Sequence, residues 1–237
     1  KRKVKGITVN DEFIPCDLVV SNVDAYSTYH DLLGDHKSKG AKKYQKLEPS
    51  SSALVFYWGV NRSSSELDIH NILFSENYEQ EFHELFTEKR CPHDPTVYIY
   101  ISSKFNPQDS PAGKENWFVM INAPYDSEQD WDKEIEKSRR AVKHKIKSIL
   151  NIDMDDFIEC EDVLTPPLIA ERTSSHKGSL YGISSNTKTA AFLRQRNKSK
   201  YYKGLYFCGG SVHPGGGMPL VMLSGKLVAE KIEKEYL

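Results

Sequence analysis

Residues 204–226 are the part of the chain whose residue types and spacing could do chemistry. They comprise an apolar strand, a turn with five glycines and then a helix. Glycines let backbone N–H groups approach a ligand without a Cβ in the way, and the partly positive N-terminus of the following helix is directed at whatever lies in the turn. The pattern favours an anionic or electron-rich ligand, although many turns of this kind bind nothing.

Sharper motifs for phosphate binding and hydrolysis are absent from the sequence. It has no Gly-x-x-x-x-Gly-Lys-Ser/Thr loop and no Gly-x-Gly-x-x-Gly after a strand, so it holds no complete phosphate loop for a mononucleotide or a dinucleotide. His213 and the glycines that follow it are similar to an esterase oxyanion loop, but no Gly-x-Ser-x-Gly elbow occurs. A serine hydrolase is disfavoured, whereas a phosphate or the polar edge of a reduced flavin would fit the turn.

Charge and hydropathy argue against two classes of function. Lys and Arg total 32 against 33 Asp and Glu, a formal net charge of −1, so the composition predicts no general attraction to nucleic acid. The longest apolar run, residues 53–60, is far shorter than the roughly 20 residues of a membrane-spanning helix. We therefore expect neither a nucleic-acid-binding protein nor a membrane-spanning segment.

The four cysteines predict neither a disulfide framework nor a metal site. Cys16, Cys91, Cys160 and Cys208 lie far apart and form no Cys-x-x-Cys pair, which indicates a reducing, cytoplasmic environment. The stretch from Cys91 to Asp94 contains a histidine, but no second pair of ligands lies at zinc spacing. We predict a loop there and no metal.

Periodicity predicts an α+β protein with a mixed sheet flanked by helices. Strand patterns and turn residues indicate two hairpins, a central strand and a later strand, at residues 4–9 with 14–20, 96–101 with 116–121, 53–60 and 157–163. Apolar residues at helical spacing predict helices over residues 24–33, 77–90 and 127–150, and Thr165-Pro166-Pro167 could start another. In the second of these helices, Tyr78, Phe82, Leu85 and Phe86 form the face expected to pack on the core.

The glycine-rich turn and an upstream segment resemble one family. Ser211-Val212-His213-Pro214-Gly215-Gly216-Gly217-Met218-Pro219, after the strand Leu205-Tyr206-Phe207, resembles the C-terminal flavin signature of the phytoene desaturase family, the bacterial-type FAD-dependent carotenoid desaturases. Asp17-Leu18-Val19-Val20-Ser21-Asn22-Val23-Asp24 resembles that family's Asp-x-Val-Val-x-Asn-Ala-Asp segment, with Val23 in place of the usual Ala. Residues 54–62, 111–114, 165–167 and 178–182 have counterparts in the same order, so the resemblance covers essentially the whole chain.

The resemblance implies a fragment of a two-domain flavoprotein. Residues 1–33 would be the hairpin and helix of the FAD domain, residues 34–200 the substrate-binding domain, and residues 201–237 the C-terminal strand, glycine-rich turn and helix of the FAD domain. The N-terminal half of the protein, which would carry the dinucleotide-binding unit, is missing from this chain. Without it, we expect the chain to bind FAD poorly and to be inactive.

The resemblance also implies an enzyme that acts on CH–CH groups. It would desaturate a carotenoid precursor such as phytoene, with FAD accepting a hydride from the carbon chain in the full-length protein. A hydrocarbon offers no charge to bind, so the protein would supply an apolar tunnel for a long polyene and dipoles that stabilise the reduced flavin. The whole protein is expected to be cytoplasmic and peripherally associated with the membrane that stores its substrate.

Several residues are candidates for these roles. The cofactor-facing candidates by resemblance are Gly209, Gly210, Ser211, Gly217, Met218 and Pro219. His213 could be an acid or base near the flavin, or could stabilise the turn by a hydrogen bond. Asn22 and Asp24 could approach the cofactor, or could cap the helix over residues 24–33. The candidate substrate-lining residues are Tyr57, Trp58, Tyr98 and Tyr100, for which packing in the core is the alternative.

Other functions remain open. Related flavoproteins isomerise carotenoids or saturate retinol, and the analysis of products would separate these activities from desaturation. A different class is a non-enzymatic lipid-binding or membrane-docking module, suggested by the basic residues Lys137, Arg140, Lys143 and Lys147 on one helix and by the aromatic strands. Such a module would bind hydrocarbon without a flavin.

Overall fold

A computed structural model of the chain describes residues 2–186 and 193–236. The strands are, in chain order, β1 (Arg2–Lys3), β2 (Gly6–Val9), β3 (Glu12–Pro15), β4 (Val19–Ser21), β5 (Ser52–Val60), β6 (His70–Leu73), β7 (Val97–Tyr100), β8 (Glu115–Ala123), β9 (Ile158–Leu164), β10 (Tyr202–Lys203) and β11 (Leu205–Phe207). The α-helices are α1 (Ala25–Ser27), α2 (Lys39–Gln45), α3 (Tyr78–His83), α4 (Trp131–Leu150), α5 (Pro166–Thr173) and α6 (Met218–Tyr236). Helices α1 and α3 continue as the π-helical turns Thr28–Leu32 and Glu84–Glu88. This mixture of helices and sheets is the α+β class predicted from the sequence.

The chain divides into two compact units. Unit 1 combines Lys1–Ser50 with Ile169–Leu237, and unit 2 is Ser51–Leu168. These boundaries differ from the expected ones after residues 33 and 200, because residues 34–50, which include α2, and the chain from Ile169 onward belong to unit 1. Tyr44 of α2, for example, packs in the same buried cluster as Tyr29 and Phe207. The functional roles of the domains stay predictions.

Unit 1 brings the two ends of the chain together in parallel strand pairs. β4 pairs with β11, with Val19 opposite Leu205 and Ser21 opposite Phe207, and β1 pairs with β10. β2 and β3 form the antiparallel hairpin that the sequence predicted. Its turn residue Asn10 has a positive φ of 48°, as tight hairpin turns require.

Unit 2 is built on one five-stranded antiparallel sheet in the order β6-β7-β8-β5-β9. β5 lies in its interior, and β7 and β8 form the predicted hairpin with a long loop. Val142 and Ile146 of α4 pack with Phe56 and Trp58 in the buried core on one side of the sheet. α4 begins at Trp131 rather than near residue 127, because the side chain of Asp130 accepts a hydrogen bond from the Lys133 amide and caps the helix.

The predicted apolar face of α3 is wrong in part. Tyr78 is exposed, whereas Glu81 and Glu84 are almost fully buried. Both carboxylates accept hydrogen bonds from the loop that follows, Glu81 from the Thr96 hydroxyl at 2.7 Å and Glu84 from the His93 amide at 2.9 Å. Burial acts to raise the pKa of Glu84, but the hydrogen bonds from His93 outweigh it and the pKa lies below its usual value.

In the part of the chain that the structure describes, no helix is both long enough and apolar enough to cross a bilayer.

Candidate functional site

The glycine-rich turn lies between β11 and α6, where the sequence predicted it. The Cys208 amide donates to the Ser21 carbonyl at 3.0 Å, which extends the pairing of β11 with β4 to the start of the turn. Gly209 follows with a φ of +103°, and a Cβ there would lie 2.4 Å from Oδ1 of Asn22. A glycine at 209 therefore lets Asn22, one of the candidate cofactor residues, lie against the turn.

Ser224 holds the turn against α6. Its hydroxyl accepts a hydrogen bond from the Gly209 amide at 2.7 Å and donates to the Val221 carbonyl at 2.9 Å. The side chain is completely buried. No motif in the sequence marks Ser224, although a serine within an otherwise apolar helical turn is a signal that could have indicated it.

The turn is open at the N-terminus of α6. Gly217 has a φ of +96°, and a Cβ placed there would meet no heavy atom within 4 Å. The first backbone hydrogen bond of the helix runs from the Val221 amide to the Gly217 carbonyl at 2.9 Å, so the earlier amides have no acceptor within the helix. Pro219 fits this first turn because it has no N–H to satisfy. The opening suits an electron-rich group, and the exposed side chain of Met218 lies beside it.

Ser211 and Asp24 meet at the N-terminus of α1. The Ala25 amide donates to the Ser211 hydroxyl at 3.2 Å, and the Tyr26 amide donates to the Asp24 carboxylate at 2.8 Å. Burial raises the pKa of Asp24, although backbone N–H groups, including that of His176, partly oppose this shift. Asp24 therefore caps α1, as the alternative interpretation held, and Ser211 links the turn to the same helix end.

His176 covers this junction. Its ring stacks on that of Tyr26 with centroids 3.7 Å apart, and both residues line a small cavity with Asp24 and Ser211. Burial lowers the pKa of His176 to about 4, so the imidazole is neutral at physiological pH.

Arg194 places a buried positive charge behind the turn. Only 8% of the residue is exposed, and its Nη1 donates to the carbonyls of Tyr181 at 2.7 Å and Gly210 at 3.2 Å. Its Nη2 donates to the Ser185 hydroxyl at 3.1 Å. Among the described residues no carboxylate pairs with Arg194, and residues 187–192 contain neither Asp nor Glu. Burial lowers the pKa of Arg194, and its acceptors are mostly backbone carbonyls, which no sequence motif reveals.

His213 is held by its backbone rather than by its side chain. Its amide donates to the Gln195 carbonyl at 2.8 Å, its carbonyl accepts from Nδ2 of Asn197 at 2.8 Å, and its peptide bond to Pro214 is cis. The imidazole is exposed and lines a wide groove of unit 1 whose other lining residues include Arg196, Lys198, Lys200, Lys231 and Lys234.

In unit 2, strand register arranges a set of aromatic residues on the face of the sheet away from the α4 core. We call the line His70, Tyr100, Phe118, Tyr57 and Asp162 the aromatic row, because each member is directly opposite the next on the neighbouring strand. The adjacent line Ile72, Tyr98, Met120, Val55 and Leu164, paired in the same way, is the apolar row. The rings of Tyr57 and Phe118 meet edge to face with centroids 5.5 Å apart, and Tyr98 and Phe118 meet likewise at 6.2 Å.

Three of the four candidate substrate residues therefore share one face. Tyr57, Tyr98 and Tyr100 belong to the two rows, whereas Trp58 lies on the opposite side of the sheet. Trp58 is 1% exposed, packs in the core and donates from Nε1 to Glu161 at 2.6 Å. The expectation for Trp58 is corrected because successive residues of a strand face opposite ways.

No metal site was found in the parts of the chain that the structure covers. Within residues 2–186 and 193–236, no three His, Cys, Asp or Glu side chains are grouped so that they could hold an ion. Nδ1 of His93 lies 2.8 Å from Glu84 instead.

Comparisons with known proteins identify relatives along almost the whole chain. No protein-family model matches it. It is 51% identical over 230 residues to a 1-hydroxycarotenoid 3,4-desaturase from a Flavobacterium species, covering 97% of this chain and 47% of that protein. It is 36% identical over 231 residues to a 4,4'-diaponeurosporene oxygenase from Staphylococcus haemolyticus, covering 97% of this chain and 46% of that protein. The chain thus spans about half the length of the curated relatives it matches.

A solved structure shows the same fold. An oxidoreductase from Methanosarcina mazei superposes with a TM-score of 0.59 at 17% identity, covering 96% of this chain and 46% of that one.

Proposed function

Because this chain belongs to the carotenoid desaturase-like family of flavoproteins, we propose that it is the C-terminal part of an FAD-dependent enzyme that dehydrogenates a carotenoid precursor. The observation that carries the proposal is the open glycine-rich turn at the N-terminus of α6, in a chain that aligns with these relatives over 97% of its length. Phytoene is one such precursor. One relative is named for a 1-hydroxycarotenoid and another for diaponeurosporene, so the family leaves the end group of the substrate open.

The residues of the turn fit a flavin. A Cβ at Gly217 would occupy open space beside the first turn of α6, where backbone amides have no acceptor within the helix. These amides, with Gly209, Gly210, Ser211, Met218 and Pro219 around them, would hold the electron-rich edge of the ring. When bound, the flavin would supply the acceptor for a hydride taken from one carbon of the chain, while the neighbouring carbon loses a proton to solvent.

The protein's own contribution is positive potential and fixed geometry. The N-terminus of α6 and the buried guanidinium of Arg194 both favour negative charge near the turn, which is where a reduced flavin would gain electron density. Ser224 and Ser211 anchor the turn to α6 and α1, so its amides are oriented before any ligand binds. His213 is exposed, and we assign it no proton transfer.

The hydrocarbon would bind to unit 2. Between their two ends, the aromatic and apolar rows consist of tyrosine, phenylalanine and aliphatic side chains, and none of these side chains forms an ion pair in the described part of the chain. Such a surface suits a long polyene, which has no charge. The strands are spaced by roughly 4.8 Å, so each row is about 19 Å long across five strands. An extended hydrocarbon could lie along it.

We propose that an N-terminal half of the whole protein completes unit 1. In the described chain β4 has β11 on one edge and no strand on the other, and Val20 is 42% exposed. A strand from the N-terminal half would pair there and cover Val20. We further propose that the whole protein is cytoplasmic and contacts the surface of the membrane that stores its insoluble substrate.

The alternative of a membrane-docking module is disfavoured by the charges on α4. Lys143 pairs with Asp155 and Lys147 with Asp153, each at 2.5 Å, and Lys137 pairs with Glu134 at 3.4 Å. Three of the four residues of the predicted basic face therefore already have an acidic partner. This helix therefore offers little free positive charge to anionic lipid.

The test uses the whole protein and a matched pair of glycine variants. Gly217 and Gly113 both have positive φ, +96° and +76°, and open space at the Cβ position, but only Gly217 lies in the turn. Each Gly→Ala change costs roughly 1 kcal/mol of backbone strain. We expect flavin absorption bands in the purified wild type and in Gly113→Ala, and a weakened or absent flavin in Gly217→Ala.

Product analysis completes the test. Cells that make a colourless carotenoid precursor should accumulate a more conjugated polyene, lighter by pairs of hydrogens, when they express the wild type. An isomer of unchanged mass, a saturated product or an oxygenated product would show that the enzyme has a different activity and would contradict desaturation. Pure protein without flavin under any refolding condition would refute the flavin-dependent mechanism.

A further inference from the structure

The aromatic row of unit 2 ends in a polar group that the proposed reaction does not use. His70 lies on β6, one of the two edge strands of the sheet, and begins the row that continues through Tyr100 and Phe118. The imidazole is exposed. Beside it, the apolar row begins with Ile72, so His70 is the hydrogen-bonding group at that end of the two rows.

The imidazole is held in a fixed orientation. Its ring stacks on that of Tyr100 with centroids 5.0 Å apart and an interplanar angle of 17°. Its Nδ1 lies 2.8 Å from the hydroxyl of Tyr98, within hydrogen-bond distance. Two residues of the neighbouring strand β7 thus position one side chain, which is how a binding group is made specific.

One ring nitrogen remains available. In the described part of the chain, Nε2 of His70 has no hydrogen-bond partner. If the Tyr98 hydroxyl donates to Nδ1, Nε2 carries the proton and donates; if Nδ1 donates, Nε2 accepts. A hydroxyl group can both donate and accept, so it complements either tautomer.

The opposite end of the aromatic row is less suited to the same task. Asp162 is exposed, and its Oδ1 already accepts a hydrogen bond from the Val163 amide at 2.9 Å. An ionised carboxylate only accepts, and it would have to give up water to meet a hydrocarbon end. His70 is the better partner because its imidazole can donate or accept a hydrogen bond, whereas the carboxylate can only accept one.

We propose that His70 is a specificity-determining residue that hydrogen-bonds a hydroxyl group at one end of the polyene. The inference rests on the proposed function, because it assumes that the polyene lies along the rows. A substrate that ends in hydrocarbon would cover Nε2 without satisfying it, and this penalty discriminates against it. The Tyr98 hydroxyl orients the imidazole, and Tyr100 supports its ring.

The experiment compares two substrates on the whole enzyme. Acyclic carotenoid precursors with the same skeleton, one with a terminal hydroxyl and one without, are converted by the wild type, His70→Phe and His70→Gln. Phenylalanine keeps a ring to stack on Tyr100 but cannot hydrogen-bond, whereas glutamine restores a polar group of similar reach. The exposed His83 on α3, which lies outside the rows, provides the control variant His83→Phe.

We expect the wild type to favour the hydroxylated substrate in kcat/KM and His70→Phe to reduce that preference about tenfold, the value of one net hydrogen bond. His70→Gln should retain most of it, and His83→Phe all of it. An unchanged preference in His70→Phe, with both substrates still converted, would overturn the role of His70 while leaving the proposed function intact.

A binding measurement distinguishes a failure of the proposed enzymatic function from a failure of the proposed role of His70. If the wild type dehydrogenates neither substrate, the proposed function fails, and the dissociation constants of the two polyenes, followed by quenching of protein fluorescence, take the place of kcat/KM. The same tenfold loss of preference in His70→Phe would support the site. Equal affinities in the wild type, or no binding of either polyene, would refute it.

Discussion

The hydroxyl of Ser224, in the second turn of α6, accepts a hydrogen bond from the amide of Gly209 at 2.7 Å. This bond joins the first glycine of the turn to the helix that the turn leads into. Neither atom reaches solvent easily, because Ser224 is completely buried. The turn is thereby fixed from its first residue, before the open part at Gly217.

Replacing Ser224 with alanine should destabilise the protein through the Gly209 amide. The change leaves a buried donor without an acceptor, which costs about 1–3 kcal/mol in free energy of unfolding. Denaturation by urea measures it. The control is Ser148→Ala on α4, where an exposed hydroxyl donates only to the Lys145 carbonyl at 3.0 Å and its loss should cost less than about 0.5 kcal/mol. Equal losses in both variants would contradict the role of Ser224.

The contribution of Arg194 to stability and to flavin binding should depend on the planar shape of its guanidinium as well as on its charge. Arg194→Lys keeps the charge but cannot reach the Tyr181 and Gly210 carbonyls and the Ser185 hydroxyl together. We expect a loss of roughly 2 kcal/mol in stability and a weaker retention of flavin by the whole protein during gel filtration. Arg196→Lys, an exposed neighbour, serves as the control and should change neither quantity. Retention of both by Arg194→Lys would show that charge alone suffices.

The neutral state of His176 should make stability depend on pH. An unfolded histidine binds its proton near pH 6.5, whereas the folded His176 does so only at a pKa of about 4, so the unfolded state holds the extra proton between these values. Stability is therefore lost as pH falls from about 6.5 to 4, by roughly 2 kcal/mol after allowance for partial exposure. His176→Phe keeps the stacking on Tyr26 and removes the titration. Urea midpoints at pH 7 and 4.5 should fall less in this variant, and equal falls would disprove the effect.

The ring of Tyr181 should leave no room for a side chain at position 216. A Cβ at Gly216 would lie 2.2 Å from Cδ1 of that ring, so Gly216→Ala must displace it. We expect a destabilisation of about 1–3 kcal/mol. A double-mutant cycle with Tyr181→Ala tests the cause, because the alanine at 216 should cost much less once the ring is absent. Additive losses would point to a different source of strain.

The elements that depend on local chemistry could be predicted from the sequence. The strand, turn and helix around Gly209 follow from residue types close together in the chain, and so does the cap at Asp24. Tyr98 and Tyr100 share a face because strands have a period of two, and the same rule shows that Tyr57 and Trp58 cannot both line one face.

The features that depend on distant backbone could not be predicted. Glu81 and Glu84 are buried because amide and hydroxyl groups 9 to 15 residues later satisfy their carboxylates. Arg194 is buried because it meets carbonyl groups, which every residue possesses. The alignment of His70 with Tyr100 and Phe118 follows from strand register, and register is set by turns and packing rather than by the residues of one strand.

Unit 2 is one uninterrupted stretch of sequence inserted between the two segments of unit 1. Two recombination events, near residues 50 and 169, would therefore exchange the entire five-stranded sheet with both of its rows. The residues of the glycine-rich turn, and those that anchor it, would be inherited unchanged. Such exchanges would replace the proposed hydrocarbon-binding sheet and keep the proposed flavin-binding turn, and a protein engineer could build chimaeras between relatives at the same two junctions.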